Sequence, residues 1–362
     1  MHKKLMVAAV AGALAVPAMA LAQTTIYGVF NAEYGFASQP NNAANNPRQD
    51  AEGFNSGASR FGIKGEEKMG GGLTTWYQCE SDVGFLGNTT SGANICDRNS
   101  ALGIKGEFGN FYVGTWDSPI KRASGVTRIT NETGWLGSQH ITLSSANGPT
   151  NFSSRHTQTL NYDSPKLGGA FSVAAQITSL QATFNATAAA VVEGRILGFN
   201  GMYSAGPAAV VFGYEVRDEN RAVGSLTSSE DTAWLIGGTY VFGPVKVGFT
   251  YTSIDTQPTA TTSVERTAWN LAADYSLGGP GTIRFGYAQA DDLEGTVTVQ
   301  NSGAKQWQIS YLHSFSKRTQ GTIGYVKLDN DSAGLYNLQG LSTGGFPGDD
   351  ASAFTIALSH SF

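Results

Sequence analysis

Residues 307–315, WQISYLHSF, place a large apolar or aromatic side chain at every second position. Successive side chains of a β-strand point to opposite faces, so a period of two with one apolar face predicts a half-buried strand. The same alternation recurs from Val245 to Tyr251 and from Ile283 to Tyr287. The sequence therefore predicts an all-β protein built from strands of about ten residues.

The connections between these strands alternate between short and long. The short ones are Lys68 to Gly71, Phe108 to Asn110, Pro165 to Gly169, Ala205 to Pro207, Gly243-Pro244, Leu277 to Pro280 and Ser316 to Arg318. The long ones include Ser38 to Ser56, Ser118 to Ser153, Asp291 to Gly303 and Asn330 to Asp350. Tight turns at one rim and long loops at the other are typical of transmembrane antiparallel β-barrels. Counting hairpins predicts about 16 strands, with 14 and 18 still open.

The composition favours a membrane barrel over a soluble protein. The chain has 46 Gly and 11% aromatic residues but only 14% charged residues, against about 25% in average globular chains. Mean hydropathy is −0.16, which fits a barrel because lipid-facing residues occupy only every second position. The internal repeat Gly62-Ile63-Lys64-Gly65-Glu66 and Gly103-Ile104-Lys105-Gly106-Glu107 predicts two strands that run toward the same rim. We expect a single barrel domain over residues 23–362 and no linker.

Residues 1–22 have the pattern of a secretion signal peptide. A basic pair at positions 3 and 4 precedes an apolar run, and Ala20-Leu21-Ala22 is a small-x-small cleavage pattern. Cleavage before Gln23 leaves 340 residues with a formal charge of −7. The alternative, a membrane anchor helix, needs about 20 apolar residues, and this run is shorter and is broken by Pro17.

The last strand carries apolar side chains at alternate positions and ends on an aromatic carboxy terminus, Phe362. We expect the barrel-assembly machinery to recognise this ending. Cys79 and Cys96 are the only cysteines, and an exported pair usually forms a disulfide. A reactive or metal-binding thiol pair is the alternative, but no histidine lies nearby in the sequence.

These residues together resemble the trimeric general porins of Gram-negative bacteria, especially those of beta-proteobacteria. The resemblance covers the whole mature chain, and no single motif carries it. It rests on the order of Ile26-Tyr27-Gly28, residues 59–66, residues 98–109, Phe111-Tyr112-Val113-Gly114, Tyr162-Asp163-Ser164-Pro165 and Phe362.

The resemblance implies a homotrimer of 16-stranded barrels in the outer membrane, with the third external loop folded into the lumen. That loop would be Ser118 to Ser153. The resemblance also implies a basic cluster on the wall opposite the loop, formed by Arg60, Arg98 and Arg155. The expected function is passive diffusion of small hydrophilic solutes and ions.

Strand alternation tests these positions separately. Phe61 and Ile63 would face lipid, which turns Arg60 and Lys64 toward the lumen. Leu160 and Tyr162 likewise turn Arg155, Thr157 and Asn161 toward the lumen. Arg98 disagrees, because counting back from Leu102 puts it on the lipid side. An arginine at the bilayer midplane costs about 2–4 kcal/mol, so we expect a one-residue bulge before this strand.

The predicted constriction is basic. The loop has Lys121, Arg122 and Arg128 against Glu132, with Asp117 at its entrance, and the three wall arginines bring the sum to about four positive charges. We therefore expect anion preference, although the whole chain has a formal charge of −5. The alternative is that the arginines only pair with loop carboxylates and hold the loop in place. The acidic external loops suggest a weaker hypothesis of divalent-cation or lipopolysaccharide binding.

Other functions have less support. His140 lies near Ser138 and Ser144, but no acid partner is evident, so we expect no enzyme activity. The sequence has no phosphate loop, dinucleotide fingerprint or metal-ligand cluster, and we expect no cofactor and no metal. Dispersed basic residues argue against nucleic acid. The expected partners are small anionic and neutral solutes, outer-membrane lipid and lipopolysaccharide. Two alternatives remain, a channel specific for phosphate, organic acids or sugars, and a non-conducting adhesion or structural barrel.

Overall fold

The computed structural model describes residues 24–39, 49–86, 95–129, 134–144, 151–179, 194–218, 230–259, 262–296, 298–338 and 347–362. The predicted signal peptide lies outside these residues. Among the described residues, no helix has the length and apolar character needed to cross a membrane.

The described residues form eighteen strand segments and two short helices, α1 (Pro119–Thr127) and α2 (Gln139–Leu143). The strands are β1 (Thr25–Gln39), β2 (Gln49–Asn55), β3 (Arg60–Gly70), β4 (Leu73–Asp82), β5 (Ser100–Gly106), β6 (Gly109–Asp117), β7 (Arg155–Asp163), β8 (Phe171–Ser179), β9 (Arg195–Ala205), β10 (Ala208–Asp218), β11 (Glu230–Phe242), β12 (Val245–Thr259), β13 (Thr262–Ser276), β14 (Gly281–Ala290), β15 (Glu294–Gly295), β16 (Ala304–Ser314), β17 (Thr319–Asn330) and β18 (Ala351–Ser361).

These segments fill sixteen positions in one closed antiparallel sheet. β2 and β3 pair with successive parts of β1 and share one position. β15 is a two-residue piece that pairs with β13 beyond the end of β14, so it adds no position. β1 pairs with β18 and closes the barrel. The predicted β-barrel of about 16 strands is confirmed.

Exposed apolar side chains occupy alternate positions along the strands. In β18, Phe354, Ile356 and Leu358 are 40–52% exposed, while Ala353 and Thr355, on either side of Phe354, are buried. We call the face with the exposed apolar side chains the outer face and the opposite one the inner face. The alternation predicted for residues 307–315 is present, with Ile309 exposed and Gln308 buried. An apolar outer face of this kind suits lipid as solvent.

One predicted loop is partly strand. Residues 38–56 were expected to form a long connection, but β1 continues to Gln39 and β2 pairs with it from Gln49. Mixed polar and small residues in QDAEGFN hide the alternation that marks the other strands. At the other end of the sheet, Phe362 exchanges backbone hydrogen bonds with Gly28 and its ring stacks on Phe30, so the carboxy terminus completes the closure.

Cys79 and Cys96 form a disulfide, as predicted, with their Cα atoms 4.7 Å apart. Cys79 lies in β4 opposite Ile63, whose side chain is on the outer face. Cys96 lies just before β5 and adopts a positive φ of 64°. The bridge therefore joins β4 to the segment that leads into β5.

Candidate functional site

Opposite charges from two strands meet on the inner face. Arg60, the first residue of β3, lies in register with Asp82 of β4, and its Nε is 3.5 Å from a carboxylate oxygen of Glu80. Glu80 is buried and also accepts a hydrogen bond of 3.1 Å from the Tyr27 hydroxyl. A buried carboxylate needs such partners because desolvation penalises an unpaired charge. Glu80 therefore holds Arg60 on the wall.

Arg98 reaches the same patch through an irregularity before β5. The one-for-one pairing of β4 with β5, if continued, would put Arg98 opposite Ser81 on the outer face. Instead, the Arg98 backbone N–H donates to the carbonyl of Glu80 at 2.9 Å, a shift of one residue. The guanidinium then contacts Glu80 Oε1 at 2.8 Å and Asp82 Oδ1 at 2.5 Å. The side chain of Arg98 thus lies on the inner face.

Asp117, at the end of β6, connects the wall to the following loop. Its carboxylate accepts a hydrogen bond from the Asn99 amide at 3.0 Å and lies 2.9 Å from the Lys121 ammonium. The Arg155 guanidinium is 3.2 Å from the same carboxylate and donates from Nε to Asn99 Oδ1 at 2.8 Å. Because Asn99 follows Arg98, this network is continuous with the Arg60–Glu80 patch.

Helix α1 begins directly after Asp117. Ser118 caps the helix by accepting from the Lys121 N–H, and Pro119 follows it at the first helical position. The buried side of α1 packs against inner-face glycines. A methyl group at Gly213 would lie 2.9 Å from Ala123 Cβ, and one at Gly237 would lie 2.7 Å from Thr127 Cγ2. Glycine is required there because any larger residue would push the helix off the strands.

The basic residues of this segment lie on the side of α1 away from those glycines. Arg122 forms an ion pair of 2.8 Å with Asp163 and donates to the Tyr112 hydroxyl at 3.1 Å. Arg128, just after the helix, donates to Ser124 Oγ at 3.0 Å. Asp163, at the end of β7, belongs to a motif of the resemblance but was not predicted as a site residue.

Simple alternation fails at the start of β7. The β6–β7 register shifts between Gly114 and Trp116, and Gln158 adopts a positive φ of 54°. His156, which alternation places on the outer face, is buried and contacts Glu215 of β10. Thr157, which alternation places on the inner face, is exposed. The position of Arg155 therefore follows from its contacts with Asp117 and not from the alternation.

The remaining predicted residues complete the charge count. The Lys64 ammonium lies 5.0 Å from the centre of the Tyr27 ring, and Glu132 lies outside the described residues. The ion pairs described above involve four carboxylates, those of Glu80, Asp82, Asp117 and Asp163. The seven predicted cations exceed these four carboxylates by three formal positive charges. Glu80, Asp82 and Asp163 were absent from the sequence-based sum.

A second loop segment, residues 134–144, contacts the inner face on the other side of the barrel. The Trp135 N–H donates to buried Glu33 of β1 at 3.2 Å. Gln306 of β16 donates to the carbonyl of Gly137 at 2.9 Å. Arg266 of β13, only 2% exposed, donates to the carbonyls of Ile141 and Thr142. Strands far apart in sequence thus hold one loop.

A buried acid–base group near the end of the loop was missed by sequence reasoning. Glu215 is fully buried, with His156 Nε2 at 3.0 Å and Arg217 Nη2 at 2.6 Å. Arg217 also donates to the carbonyl of Asn151 and packs its guanidinium 4.2 Å from the Phe152 ring centre. The available signal was a glutamate and an arginine two apart, which places both on one face of a strand.

His140 in α2 provides a pH-dependent test of the docked segment. Burial, and secondly the charge of Arg266, lowers the pKa of His140 from 6.5 to about 4. Neither imidazole nitrogen has a hydrogen-bond partner among the described residues. The released segment would bind a proton more readily, so docking is fully stable above about pH 6.5 and weakens as the pH falls toward 4. We expect hydrogen exchange of residues 134–144, corrected for intrinsic rate, to accelerate up to about tenfold per pH unit in that window.

His140→Leu removes the titrating group, and His313→Gln is the matched control, since His313 lies at the carboxy-terminal end of β16, beside a short turn and away from the loop. Acid-induced exchange is expected to disappear in the first variant and persist in the second. Equal acid sensitivity in all three proteins would show that another group controls the loop.

Comparison with known proteins decides the family. Residues 7–333 match the family model described as Gram-negative porin. The chain belongs to the Gram-negative porin family. Outer membrane porin protein 32 of Delftia acidovorans is 25% identical to this porin over 374 residues, covering 99% of this chain and 100% of the relative. Major outer membrane protein P.IB of Neisseria meningitidis serogroup B is 28% identical over 157 residues, covering 43% of this chain and 44% of the relative.

Solved structures agree on the barrel. An anion-selective porin from Comamonas acidovorans superposes with a TM-score of 0.79 at 24% identity, covering 94% of this chain and 100% of that one. OmpT of Vibrio cholerae superposes with a TM-score of 0.70 at 15% identity, covering 95% and 100%. The predicted porin family, outer-membrane location and channel class are confirmed.

Proposed function

We propose that this porin is a passive diffusion channel for small hydrophilic solutes that prefers anions. The observation that carries the proposal is the formal excess of cations over carboxylates among the predicted residues, several of which form the network of Arg60, Arg98, Asp117 and α1. A barrel of sixteen strands is wide enough to enclose water, so charges on its inner face act directly on passing ions.

The local excess outweighs the acidic total. The chain as a whole has a formal charge of −5, so its carboxylates lie mainly away from this network. Charges more than about 8 Å from an ion are largely screened at physiological salt, whereas a narrow low-dielectric passage focuses the field of its own charges. An ion in the passage therefore responds to the network and not to the distant carboxylates.

We also propose that residues 118–153 are the third external loop folded into the lumen, where they narrow the channel. Two groups of contacts support this. α1 packs on inner-face glycines of β10 and β11, and residues 134–144 bond to inner-face side chains of β1, β13 and β16. In this arrangement Lys121 lies beside Asp117, in the network that reaches Arg98 through Asn99, and Arg122 pairs with Asp163. The cations hold the loop and select ions at the same time.

Reversal potential is the direct test of ion preference. The purified porin is inserted into a planar bilayer that separates two potassium chloride concentrations, and the zero-current voltage is measured. We expect a sign that shows chloride to be more permeable than potassium. A cation-selective channel would contradict the proposal, and an absence of conductance would favour an adhesion or structural barrel.

A substrate-specific channel is the second candidate, favoured by one observation. Trp76, Tyr112 and Trp116 form an aromatic cluster beside the basic network, with ring centres 5.0–5.9 Å apart. Tyr112 also accepts a hydrogen bond from Arg122. Such a surface next to a cation suits organic acids with a flat apolar part. Flux that saturates with one such acid, while chloride flux does not, would favour this candidate.

Export and assembly complete the proposal. We infer that residues 1–22 are removed as a signal peptide, that the barrel-assembly machinery reads Phe362, and that the porin forms a homotrimer in contact with lipopolysaccharide. The apolar outer face and the family support these inferences. Mass spectrometry of the mature protein and of its native complex tests cleavage and subunit number.

A further inference from the structure

The disulfide and Arg98 lie at one irregular point of the wall. Cys96 precedes Arg98 by two residues and is bonded to Cys79, which occupies an outer-face position of β4. The side chain of Arg98 lies on the inner face, against Glu80 and Asp82. The covalent link and the basic side chain thus project to opposite faces of the same segment.

Regular pairing would place Arg98 elsewhere. β5 pairs one-for-one with β4, and Leu102 on its outer face is 60% exposed. Arg98 lies four residues before Leu102, so an unbroken strand would turn it to the outer face as well. The observed backbone bond from Arg98 to Glu80 requires a shift of one residue in the register. The inner position of Arg98 depends on that shift.

Among the described residues, the contacts given above hold Arg98 and Asn99, and the part of the segment near Cys96 has fewer hydrogen bonds. The Cys96 N–H donates to Ser81 Oγ at 2.9 Å, and the Asp82 N–H donates to Asp97 Oδ1 at 3.0 Å in an exposed position. Cys96 adopts the left-handed backbone conformation, which residues other than glycine seldom take without support. The bond to Cys79 fixes Cys96 where the register changes, whereas hydrogen bonds in water compete with solvent.

We propose that the Cys79–Cys96 disulfide is a positioning element for ion selectivity, because it keeps Arg98 on the inner face. Without the bond, residues 95–99 relax toward the regular register and Arg98 leaves the basic network. The channel stays open but its preference for anions falls. This inference rests on the proposed anion preference.

A double-mutant cycle tests the inference. Four proteins are compared: the wild-type porin, Cys79→Ser/Cys96→Ser, Arg98→Gln, and the triple variant with all three changes. Reversal potential gives the chloride-to-potassium permeability ratio, and single-channel conductance reports the integrity of the pore. We expect the cysteine variant and Arg98→Gln each to lower the ratio by about twofold or more, since each removes one charge from the passage. In the Arg98→Gln background, loss of the cysteines should change nothing further.

The outcomes separate the possibilities. An unchanged permeability ratio in the cysteine variant overturns the inference. The inference also fails if loss of the cysteines lowers the ratio equally in the wild-type and Arg98→Gln backgrounds, since that would indicate general damage to the wall. If the cysteine variant does not fold, the disulfide is reduced with a phosphine in the folded wild-type and Arg98→Gln porins. Alkylation counts the free thiols, and the two reduced proteins give the same comparison. A wild-type channel without anion preference would instead refute the proposed function.

Discussion

Replacing Arg60, Arg98 and Arg155 together by glutamine is expected to abolish the anion preference of the channel. The three substitutions remove the formal excess of three positive charges and leave four cations, Lys64, Lys121, Arg122 and Arg128, against four carboxylates. A unit charge 8 Å from an ion contributes about 0.5 kcal/mol in water, so three contribute about 1.5 kcal/mol before salt screening. That energy corresponds to a change of about tenfold in the chloride-to-potassium permeability ratio. Reversal potentials in a salt gradient measure it.

The matched control removes three positive charges from the rim formed by the short turns, outside the inner network. Lys166, Lys317 and Arg318 lie exposed in the short turns after β7 and β16, so their replacement by glutamine changes the net charge by the same amount. We expect little change in selectivity, because screening confines their effect to the rim. If both triple variants shifted the ratio equally, total charge and not the inner network would set the preference.

The barrel is predictable from sequence because the pattern that specifies each strand lies within a few consecutive residues. In residues 307–315, most side chains indicate their own face through their polarity, Leu312 on the inner face being the exception, and the structure keeps the alternation. The disulfide and the carboxy-terminal strand follow equally from short stretches of sequence. The β2 segment, QDAEGFN, was missed because its residues carry no contrast between the faces. A strand whose two faces have similar polarity can be recognised only from its backbone hydrogen bonds in the structure.

The site is less predictable because its contacts join distant strands. Arg98 and Arg155 lie where the register shifts, at the Glu80 carbonyl and near Gln158, and one extra residue reverses every assignment beyond it. The resemblance to porins predicted that both arginines line the lumen. Strand alternation placed Arg98 on the lipid side, and it placed Arg155 toward the lumen only by counting across a bulge that the sequence does not reveal. The ion pair of Asp163 with Arg122 could not be predicted from the local sequence, because the two residues are 41 positions apart.

Arg266→Met is expected to release the loop segment 134–144 from the wall. Arg266 is 2% exposed and donates to the carbonyls of Ile141 and Thr142 and, at 2.8 Å, to the hydroxyl of Tyr336. Its removal leaves buried acceptors without donors, and each such loss costs about 1–3 kcal/mol. A total of about 3 kcal/mol shifts the equilibrium between docked and released loop by more than about a hundredfold. We expect faster hydrogen exchange in residues 134–144 by that order and added noise in the open-channel current.

Two further variants show why the arginine is needed. Arg266→Lys keeps the charge but loses the planar fork that reaches two carbonyls and a hydroxyl, so we expect only partial restoration. Lys305→Met removes one positive charge from the neighbouring wall at an exposed position and should leave the loop docked. Full restoration by lysine would mean that charge alone holds the loop. A quiet channel with unchanged exchange in Arg266→Met would mean that the hydrogen bonds accepted by Glu33 and donated by Gln306 suffice, and that the loop is fixed from the β1 and β16 side.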